Sequence, residues 1–558
     1  MCGFVGARHV DAGLRFADLQ NAVRWIARRG PDSLKRWTSP DRTIEILHAR
    51  LAIVDQGGLA HQPMTDPETG TTVAFNGEIY NYPELRSELA AYPYRTDSDT
   101  EVILSAYRQW GIDAVRRFRG MFSMVIVDGR TGTLHLVRDP VGKKPLFLAE
   151  WDGGILFGSS ALALAAAIGQ APSIDPAAVD DYWLDGHVSP ARSLFKRCRP
   201  VLPGEAVECP RSGVTRSVRF TAVTADASAN GSNRDRLSAL LGQSVRQRLR
   251  DNPHPVALLS GGIDSTVVTA ALQRFTTPQT LTLGALVPWT QDERYARYAA
   301  RRLRVPLTVV SPSIGRIEDE IDFSFGLQDE PLGMMSFLPL ALLLKAVKPY
   351  GRILLTGDGG DEVFLGYGRP VDWTAPAATE QRDELRSGPD VQGWMSSWGR
   401  RTVTHALIGH MFTKLDRASA EQGIEVRCPL LDWDVMTFAR ALDPAALFGS
   451  GCPKHLLKDQ LNGWPSWFLH RKKIGFAYNL RWAWAFRGFA GLRDRIDPDA
   501  LATFGGLLPA GLSRPASQWT RRDIWRNFPQ VWKLLAWSGF LRRVQEIGAG
   551  GSIQKATA

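Results

Sequence analysis

The feature that most constrains this chain is a short apolar strand that runs directly into a glycine-rich turn and a helical pattern. Residues 256–259 read Val-Ala-Leu-Leu, residues 260–265 read Ser-Gly-Gly-Ile-Asp-Ser, and the helical pattern covers 263–275. Glycines let backbone N–H groups approach a phosphate closely, and a helix N-terminus adds unpaired N–H groups. The turn therefore predicts a pyrophosphate cradle rather than a Walker loop, which needs Gly-Lys-Ser/Thr. The alternative interpretation is an ordinary glycine turn with a helix cap.

Strands and helices alternate after this turn. The strands are predicted over 280–287, 307–310 and 352–356, and the helices over 292–303 and 336–347. This alternation predicts a parallel sheet with crossover helices. The chain beyond residue 370 reads as helices and long loops.

A second glycine-rich loop follows the 352–356 strand. Residues 357–364 read Gly-Asp-Gly-Gly-Asp-Glu-Val-Phe. Open α/β sheets bind ligands at the carboxyl ends of their strands, so this loop is a second candidate for ligand binding. Asp264 and Asp361 carry oxygen ligands that suit Mg²⁺. A cap and turn without a ligand is the alternative here as well.

The N-terminal half has a different pattern of predicted secondary structure. Short strand-like runs lie at 44–54, 72–75, 121–127 and 134–137, and helical stretches lie at 14–27 and 100–110. Such a pattern favours packed sheets with helices outside them. Because 558 residues exceed one ordinary core, two domains are expected. The predicted organisation is a 2–210 domain, a 211–233 linker, a 234–545 domain and a flexible 546–558 tail.

Composition excludes several classes of protein. No apolar run reaches the roughly 20 residues that span a bilayer, and the N-terminus lacks a secretory pattern, so a cytoplasmic location is expected. The five cysteines are dispersed without a Cys-x-x-Cys pair, which argues against a disulfide framework and a zinc site. The net charge of +10 is also dispersed, which suits a solvated surface or a cleft for anions such as ATP. It does not form the basic stripe of a nucleic-acid binder.

The second residue of the chain is a cysteine. Removal of Met1 would place a free α-amino group beside the Cys2 thiol. That amine could act as the base that activates the thiolate, as in N-terminal nucleophile enzymes. Cys2 is therefore a candidate nucleophile.

Four further strings accompany Cys2 in the N-terminal half: Arg29-Gly30-Pro31-Asp32, Arg50 to Asp55, Asn76 to Asn81 and Ser98 to Glu101. Together with the two glycine-rich loops they resemble glutamine-hydrolysing asparagine synthetase. That family joins a class II glutamine amidotransferase domain to an ATP-pyrophosphatase synthetase domain. The resemblance covers nearly the whole chain and includes Arg138 to Phe147, Leu202 to Gly204, Asp329 to Pro331, Glu425 to Asp432 and Arg471 to Phe476.

The resemblance implies an α+β N-terminal domain of the N-terminal nucleophile type, with layered antiparallel sheets and outer helices. It implies a Cys2 thioester, with the Asn76 side chain and the Gly77 amide as the oxyanion hole. Arg50 matches the clamp for the glutamine α-carboxylate, and Glu78 and Asp99 match the acids that bind the α-ammonium group. Ile53 completes the implied glutamine site.

For the C-terminal domain the resemblance implies an α/β fold with a mostly parallel sheet and a helical extension. The implied ATP-binding residues are Leu259, Ser260, Gly261, Gly262, Asp264, Ser265, Thr356 and Gly357. Lys473 matches the lysine that stabilises the adenylation transition state, and Asp358 matches the acid of the pyrophosphate site. Asp264 and Asp361 are the implied magnesium ligands, and ATP is a substrate.

Three positions depart from the family pattern. Ser160 stands where a carboxylate is usual, Asp358 where Glu is frequent, and Met334-Met335 where many relatives have polar residues including Asp. Two methionines make this segment of the synthetase domain more apolar and more adaptable in shape. The expected acceptor is aspartate, and the alternative is another carboxylate, such as a sugar acid or a natural-product intermediate.

Other interpretations stay open beside this one. Relatives that close β-lactam or lasso-peptide rings use an internal amine and need no glutaminase nucleophile, so Cys2 argues against them. A second alternative is an RNA-binding or tRNA-modifying protein that uses a pyrophosphate loop. The sequence contains no aromatic-basic motif or zinc module that would support it. A non-catalytic scaffold does not explain two sets of site residues. The expected partners are glutamine, ATP and a carboxylate, with neither nucleic acid nor membrane. Because many members of the family are dimers, the resemblance also suggests a homodimer.

Overall fold

The computed structural model describes residues 1–558 except 12–16, 56–57, 152, 170–171, 212–214, 222–230, 251, 253, 285–291, 312–313, 367–401, 443–445, 448–452, 472–479, 482–484, 486–488 and 549–558. Among the described residues, no helix is both long and apolar enough to cross a membrane.

Two six-stranded antiparallel sheets form the N-terminal part. The first has the order β10-β8-β9-β1-β3-β2 and the second the order β12-β11-β7-β6-β5-β4. The strands are β1 Gly3–His9, β2 Ser33–Thr38, β3 Ile44–Arg50, β4 Met64–Thr65, β5 Thr72–Ile79, β6 Gly120–Val127, β7 Leu134–Arg138, β8 Phe147–Trp151, β9 Gly154–Gly158, β10 Cys198–Pro200, β11 Glu205–Cys209 and β12 Arg216–Arg219.

Alternating side chains divide this part into four layers. Phe4 and Ala74 point between the two sheets, where they share one apolar cluster. Their neighbours Val5 and Val73 point outwards, into separate clusters beneath the outer helices. The helices of this part are α1 Val23–Ile26, α2 Tyr82–Glu88, α3 Asp99–Trp110, α4 Ala161–Ile168 and α5 Pro176–Asp185.

A five-stranded parallel sheet organises the next part, in the order β15-β14-β13-β16-β17. Its strands are β13 Val256–Leu258, β14 Gln279–Leu283, β15 Leu307–Val310, β16 Ile353–Leu355 and β17 Glu425–Arg427. The helix α6 Asn233–Leu249 precedes the sheet, and the helices between its strands are α7 Ile263–Gln273, α8 Asp292–Leu303, α9 Ile317–Phe325, α10 Phe337–Val347 and α11 Gly360–Val363. β13 lies in the centre of the sheet beside β16, so the two glycine-rich loops leave neighbouring strands.

A π-helix, Thr402–Phe412, precedes the helical extension. The remaining helices are α12 Thr413–Ala420, α13 Trp433–Ala441, α14 His455–Asp459, α15 Ser466–Leu469, α16 Ala490–Arg493, α17 Pro498–Phe504, α18 Arg521–Arg526 and α19 Phe528–Gly548. Trp532 and Trp537 of α19 share one apolar cluster with α4 of the N-terminal part. The two halves are therefore joined by a hydrophobic interface as well as by the chain.

Most of the predicted strands and helices are confirmed, and β15 and α8 begin and end at the predicted residues. Three differ. Of the helix expected over 14–27, the described residues form only a 3₁₀ turn, Leu19–Ala22, and the single turn of α1. Residues 216–219, within the predicted 211–233 linker, form β12, because their backbone pairs with β11. The helix α19 continues into the predicted 546–558 tail as far as Gly548.

Candidate active sites

Cys2 lies immediately before β1, with 7% of its surface exposed. Its Sγ is 3.9 Å from the Leu51 carbonyl oxygen, to which the thiol donates. Burial raises the pKa of the thiol, so a base is needed to form the thiolate. Burial also lowers the pKa of the terminal amino group, here on Met1, to about 5. Burial thus favours the neutral form of an amine here, which is the form that can act as a base.

Asn76 and Gly77 lie in the middle of β5, opposite Ser123 and Phe122 of β6. Asn76 is fully buried, and neither atom of its side-chain amide has a hydrogen-bond partner in the protein. Buried amides are normally paired, so this one is available to a ligand. Gly77 has φ 152°, and a Cβ there would lie 2.0 Å from the Met121 oxygen. Only glycine fits this backbone.

Arg50 ends β3 and is held by the loop that follows it. Its Nη2 donates to the carbonyl oxygens of Val54 at 3.1 Å and Asp55 at 2.5 Å. Ile53, in the same loop, is half-buried. Because Leu51 in this loop also accepts from Cys2, the structure brings Arg50 and Ile53 into the neighbourhood of the thiol.

Glu78 and Asp99 meet at the end of β5. The Asp99 Oδ2 accepts a hydrogen bond from the Ile79 backbone N–H at 3.0 Å. Burial raises the pKa of Asp99 to about 7, and it raises the pKa of Glu78 as well. Glu78 also forms an ion pair with Arg427 of β17, in the C-terminal half. Sequence reasoning quoted Arg427 within a matching string but gave it no role.

The two glycine-rich loops pack against each other at the carboxyl end of the parallel sheet. Gly261 has φ 72°, and a Cβ there would lie 2.4 Å from the Ala296 nitrogen. A Cβ on Gly357 would lie 2.5 Å from the Ser265 nitrogen. The Ser260 and Ser265 hydroxyl oxygens are 3.0 Å apart. The structure therefore brings the predicted ATP-binding residues of both loops together.

Asp264 and Asp361 converge on one cation, the ammonium group of Lys454. The Lys454 Nζ lies 2.5 Å from Asp264 Oδ2 and 2.6 Å from Asp361 Oδ1. Burial alone would lower the pKa of Lys454, but the two carboxylates outweigh it and raise that pKa. Sequence reasoning missed Lys454, because no local pattern separates it from the other lysines. Within the described residues no cluster of three or more His, Cys, Asp or Glu side chains could hold a metal.

Thr356 and Asp358 extend the same edge. The Thr356 N–H donates to the Arg427 carbonyl oxygen at 3.0 Å. Asp358 is half-buried, and it opposes the burial that lowers the pKa of Lys414. Lys473 lies outside the described residues. Arg471, two positions earlier, stacks on Tyr295, with its Cζ 4.3 Å from the ring centroid.

The positions that depart from the family pattern have clear surroundings. Ser160 caps α4 by accepting from the Ala163 N–H at 3.2 Å. Met334 is buried in the apolar core of the C-terminal half, and Met335 is half-buried. The next residue, Ser336, lies 3.4 Å from the Lys414 Nζ. This contact brings the methionine segment close to the synthetase loops.

Two small cavities lie between the halves of the molecule. One has a volume of about 20 Å³ and is lined by Met1, Met121 and Cys428 among others. The other has a volume of about 50 Å³ and is lined by His187 and Glu330 among others. Lys143, Phe412 and Asp416 line both, so the cavities adjoin.

Comparison with known proteins identifies the family of each half. A family profile described as a glutamine amidotransferase domain matches residues 1–220, and one described as asparagine synthase matches 236–539.

Three curated relatives illustrate the similarity. Asparagine synthetase [glutamine-hydrolyzing] 1 of Bacillus subtilis strain 168 is 30% identical, over 86% of this chain and 87% of its own. Asparagine synthetase B of Escherichia coli K12 is 26% identical, over 83% and 79%. A putative asparagine synthetase of Mycobacterium tuberculosis H37Rv is also 26% identical, over 86% and 88%. The chain therefore belongs to the asparagine synthase family and is a glutamine-hydrolysing amidotransferase ligase.

Proposed function

We propose that the enzyme makes asparagine from aspartate, glutamine and ATP. The Cys2 thiolate attacks the glutamine side-chain amide, so that ammonia leaves and a thioester forms, which water then hydrolyses to glutamate. In the C-terminal half the acceptor carboxylate attacks the α-phosphorus of ATP, which releases pyrophosphate and forms an acyl-adenylate. Ammonia then displaces AMP and the amide forms.

The unpartnered amide of Asn76 is the observation that carries the glutaminase proposal. A donor held without a partner costs free energy in the resting protein and stabilises the oxyanion that develops on thiolate attack. The Gly77 N–H is proposed as the second donor. Glu78 and Asp99 are proposed to bind the α-ammonium group and Arg50 the α-carboxylate, with Ile53 against the substrate.

The proposed ATP site consists of the two loops with Lys454. Asp264 and Asp361 both contact the Lys454 ammonium group, so their carboxylates lie close together and the pair fits Mg²⁺, which binds through one or two carboxylates together with substrate phosphates. When bound, Mg²⁺ would neutralise charge on the phosphates. Lys454 supplies positive charge at the same place from the chain itself. Asp358 and Lys473 keep their proposed places at the pyrophosphate site and the adenylation transition state.

We propose that ammonia passes through the protein between the sites, by way of the two adjoining cavities. Such a passage would keep ammonia from being protonated in bulk water. The measurement is synthesis from unlabelled glutamine in excess ¹⁵N-ammonium. Amide product with little ¹⁵N supports the passage, whereas free exchange of label would rule it out.

The identity of the carboxylate that accepts the ammonia is a separate part of the proposal. Aspartate is the default for this family, and Met334 and Met335 favour an acceptor with a more apolar surface as the alternative. ATP–pyrophosphate exchange decides between them. Exchange that depends on added aspartate supports asparagine synthesis. Exchange that appears only with another carboxylate would assign that acid as the acceptor.

A Cys2→Ala variant tests the division of labour. It should lose glutamine-dependent synthesis and keep ammonia-dependent synthesis, because only the first needs the nucleophile. Equal survival of both activities would show that Cys2 is not the nucleophile.

A further inference from the structure

Arg427 is a fully buried cation that belongs to the C-terminal half and contacts the candidate glutamine site. Its Nη2 forms an ion pair with Glu78 Oε2. Its Nε donates to Glu425 Oε1 at 2.8 Å, and its Nη1 donates to the Arg248 carbonyl oxygen at 2.5 Å. Every nitrogen of the guanidinium group is therefore engaged, and its orientation is fixed.

The backbone of Arg427 belongs to the synthetase sheet. Arg427 pairs with Leu355 of β16, and its carbonyl oxygen accepts from the Thr356 N–H at 3.0 Å. Thr356 begins the loop that continues to Asp358. A single residue thus contacts Glu78 through its side chain and the proposed ATP loop through its main chain.

The charges around Arg427 would not be stable without it. Glu78, Glu425 and Asp99 are three buried carboxyl groups in one region, and such groups take up protons when no cation is near. Burial raises the pKa of Glu78 well above its usual range although Arg427 opposes that rise, whereas Arg427 and a hydrogen bond with Glu78 outweigh burial at Glu425 and lower its pKa to about 2. Arg427 contacts Glu78 and Glu425 directly, so its position determines where these two carboxyl groups point.

We propose that Arg427 is a positioning residue of the glutamine site, supplied by the synthetase half, which orients the Glu78 carboxyl group for the α-ammonium group of glutamine. This inference rests on the proposed glutamine site. It gives the synthetase half a direct part in substrate binding by the other half. A purely structural role would instead affect all ligands and both activities alike.

The test measures ligand binding by calorimetry in a Cys2→Ala background, in which glutamine is not consumed. The two ligands are glutamine and 5-amino-5-oxopentanoate, which is glutamine without its α-amino group. Arg427→Met should weaken glutamine binding by about tenfold or more, as expected for the loss of one charge-assisted contact, and should leave the analogue within about twofold. Ammonia-driven synthesis, measured with Cys2 intact, should stay within about twofold of its rate without the substitution.

Arg248→Met is the matched control. Arg248 is equally deep, pairs with Asp432 at 2.8 Å and has no ion pair with Glu78, so neither ligand should lose affinity. Arg427→Lys guards against a failure of Arg427→Met to fold. The lysine keeps the positive charge but lacks the planar guanidinium geometry, so it should show a smaller loss of affinity that is again confined to glutamine.

Equal losses for both ligands, or no loss for either, would overturn the inference. Glu78→Gln separates it from the proposed site. If Glu78→Gln leaves glutamine affinity unchanged, the proposed ammonium site itself is wrong. If Glu78→Gln weakens glutamine binding and the Arg427 variants do not, only the role of Arg427 is wrong.

Discussion

At the scale of single residues, the glutaminase site is defined by polar groups that burial leaves without a hydrogen-bond partner or with a shifted pKa. The Asn76 amide is unpartnered, the Cys2 thiol has a raised pKa, and Asp99 has a pKa of about 7. Each of these states costs the resting protein free energy, and perturbed groups of this kind cluster where chemistry occurs.

Asn76→Ala should lower glutamine-dependent kcat by about 10²–10³-fold, the usual effect of removing one oxyanion-hole donor. KM for glutamine should change little, because the donor acts mainly in the transition state. Steady-state glutaminase kinetics measure both. Ser105→Ala is the control, since Ser105 is also buried but its hydroxyl already donates to the Val102 carbonyl oxygen at 3.0 Å. A loss confined to KM would contradict the oxyanion role.

Glutamine binding should weaken as pH falls through about 7, the pKa of Asp99. Burial raises this pKa, so the carboxyl is neutral below pH 7 and charged above it, and only the charged form binds an ammonium ion strongly. Arg427, Glu425 and the Ile79 N–H also act on Asp99 and set the midpoint. In Cys2→Ala, affinity should fall by up to about tenfold per pH unit below 7.

The analogue without the α-amino group should bind with an affinity that does not follow this pH dependence. Glutamine affinity that stays constant between pH 5.5 and 8 would contradict the assignment of Asp99.

At the scale of elements, both sites are built where strands end. β13 and β16 are adjacent parallel strands, so the loops after them meet. Close packing admits only glycine at Gly357, against the other loop, and at Gly261, against α8. The predicted ATP site therefore depends on helix and strand positions as much as on its own side chains.

Gly261→Ala should displace the loop or α8, because its Cβ would lie 2.4 Å from the Ala296 nitrogen and φ is 72°. A shift of about 1 Å in a substrate-positioning element can cost about a hundredfold, so ATP–pyrophosphate exchange should fall by that order. Glutaminase activity should persist. Gly505→Ala, which has open space around its Cβ, should leave both unchanged. Normal exchange in Gly261→Ala would show that this loop does not hold the nucleotide.

At the scale of the whole molecule, the halves are joined by buried ion pairs as well as by α19. Arg29 donates to both oxygens of Asp416, at 2.8 and 3.1 Å, and its Nε donates to the Cys2 carbonyl oxygen at 3.2 Å. The nucleophile is thereby tied to α12 of the synthetase half.

Arg29→Met should lower the free energy of unfolding by about 3–5 kcal/mol, because it leaves the Asp416 carboxylate buried without this partner. Denaturant titration measures the change. Arg29→Met with Asp416→Leu should recover much of the loss, since no buried charge of the pair remains. Arg24→Met, which breaks an exposed pair with Glu546, should cost about 0–1 kcal/mol. Equal effects of Arg29→Met and Arg24→Met would contradict this account.

Local pattern was enough for most of the elements around the synthetase loops. β15 and α8 have their predicted ends because apolar spacing is a property of neighbouring residues. The β12 strand was not predicted, because an edge strand of exposed residues exists only through its pairing with β11. Lys454 was missed for a similar reason: its partner Asp264 is 190 positions away.

The sequence alone determined the two domain types, the Cys2 nucleophile as a candidate, and both glycine-rich loops, because each is written in consecutive residues with recognisable chemistry. The tertiary structure alone decided which distant charges meet. It brought Lys454 to both proposed magnesium ligands and Arg427 to Glu78. Burial takes both charges out of water, which is tolerated only where the fold places them against each other, so buried ion pairs follow from packing and not from local sequence.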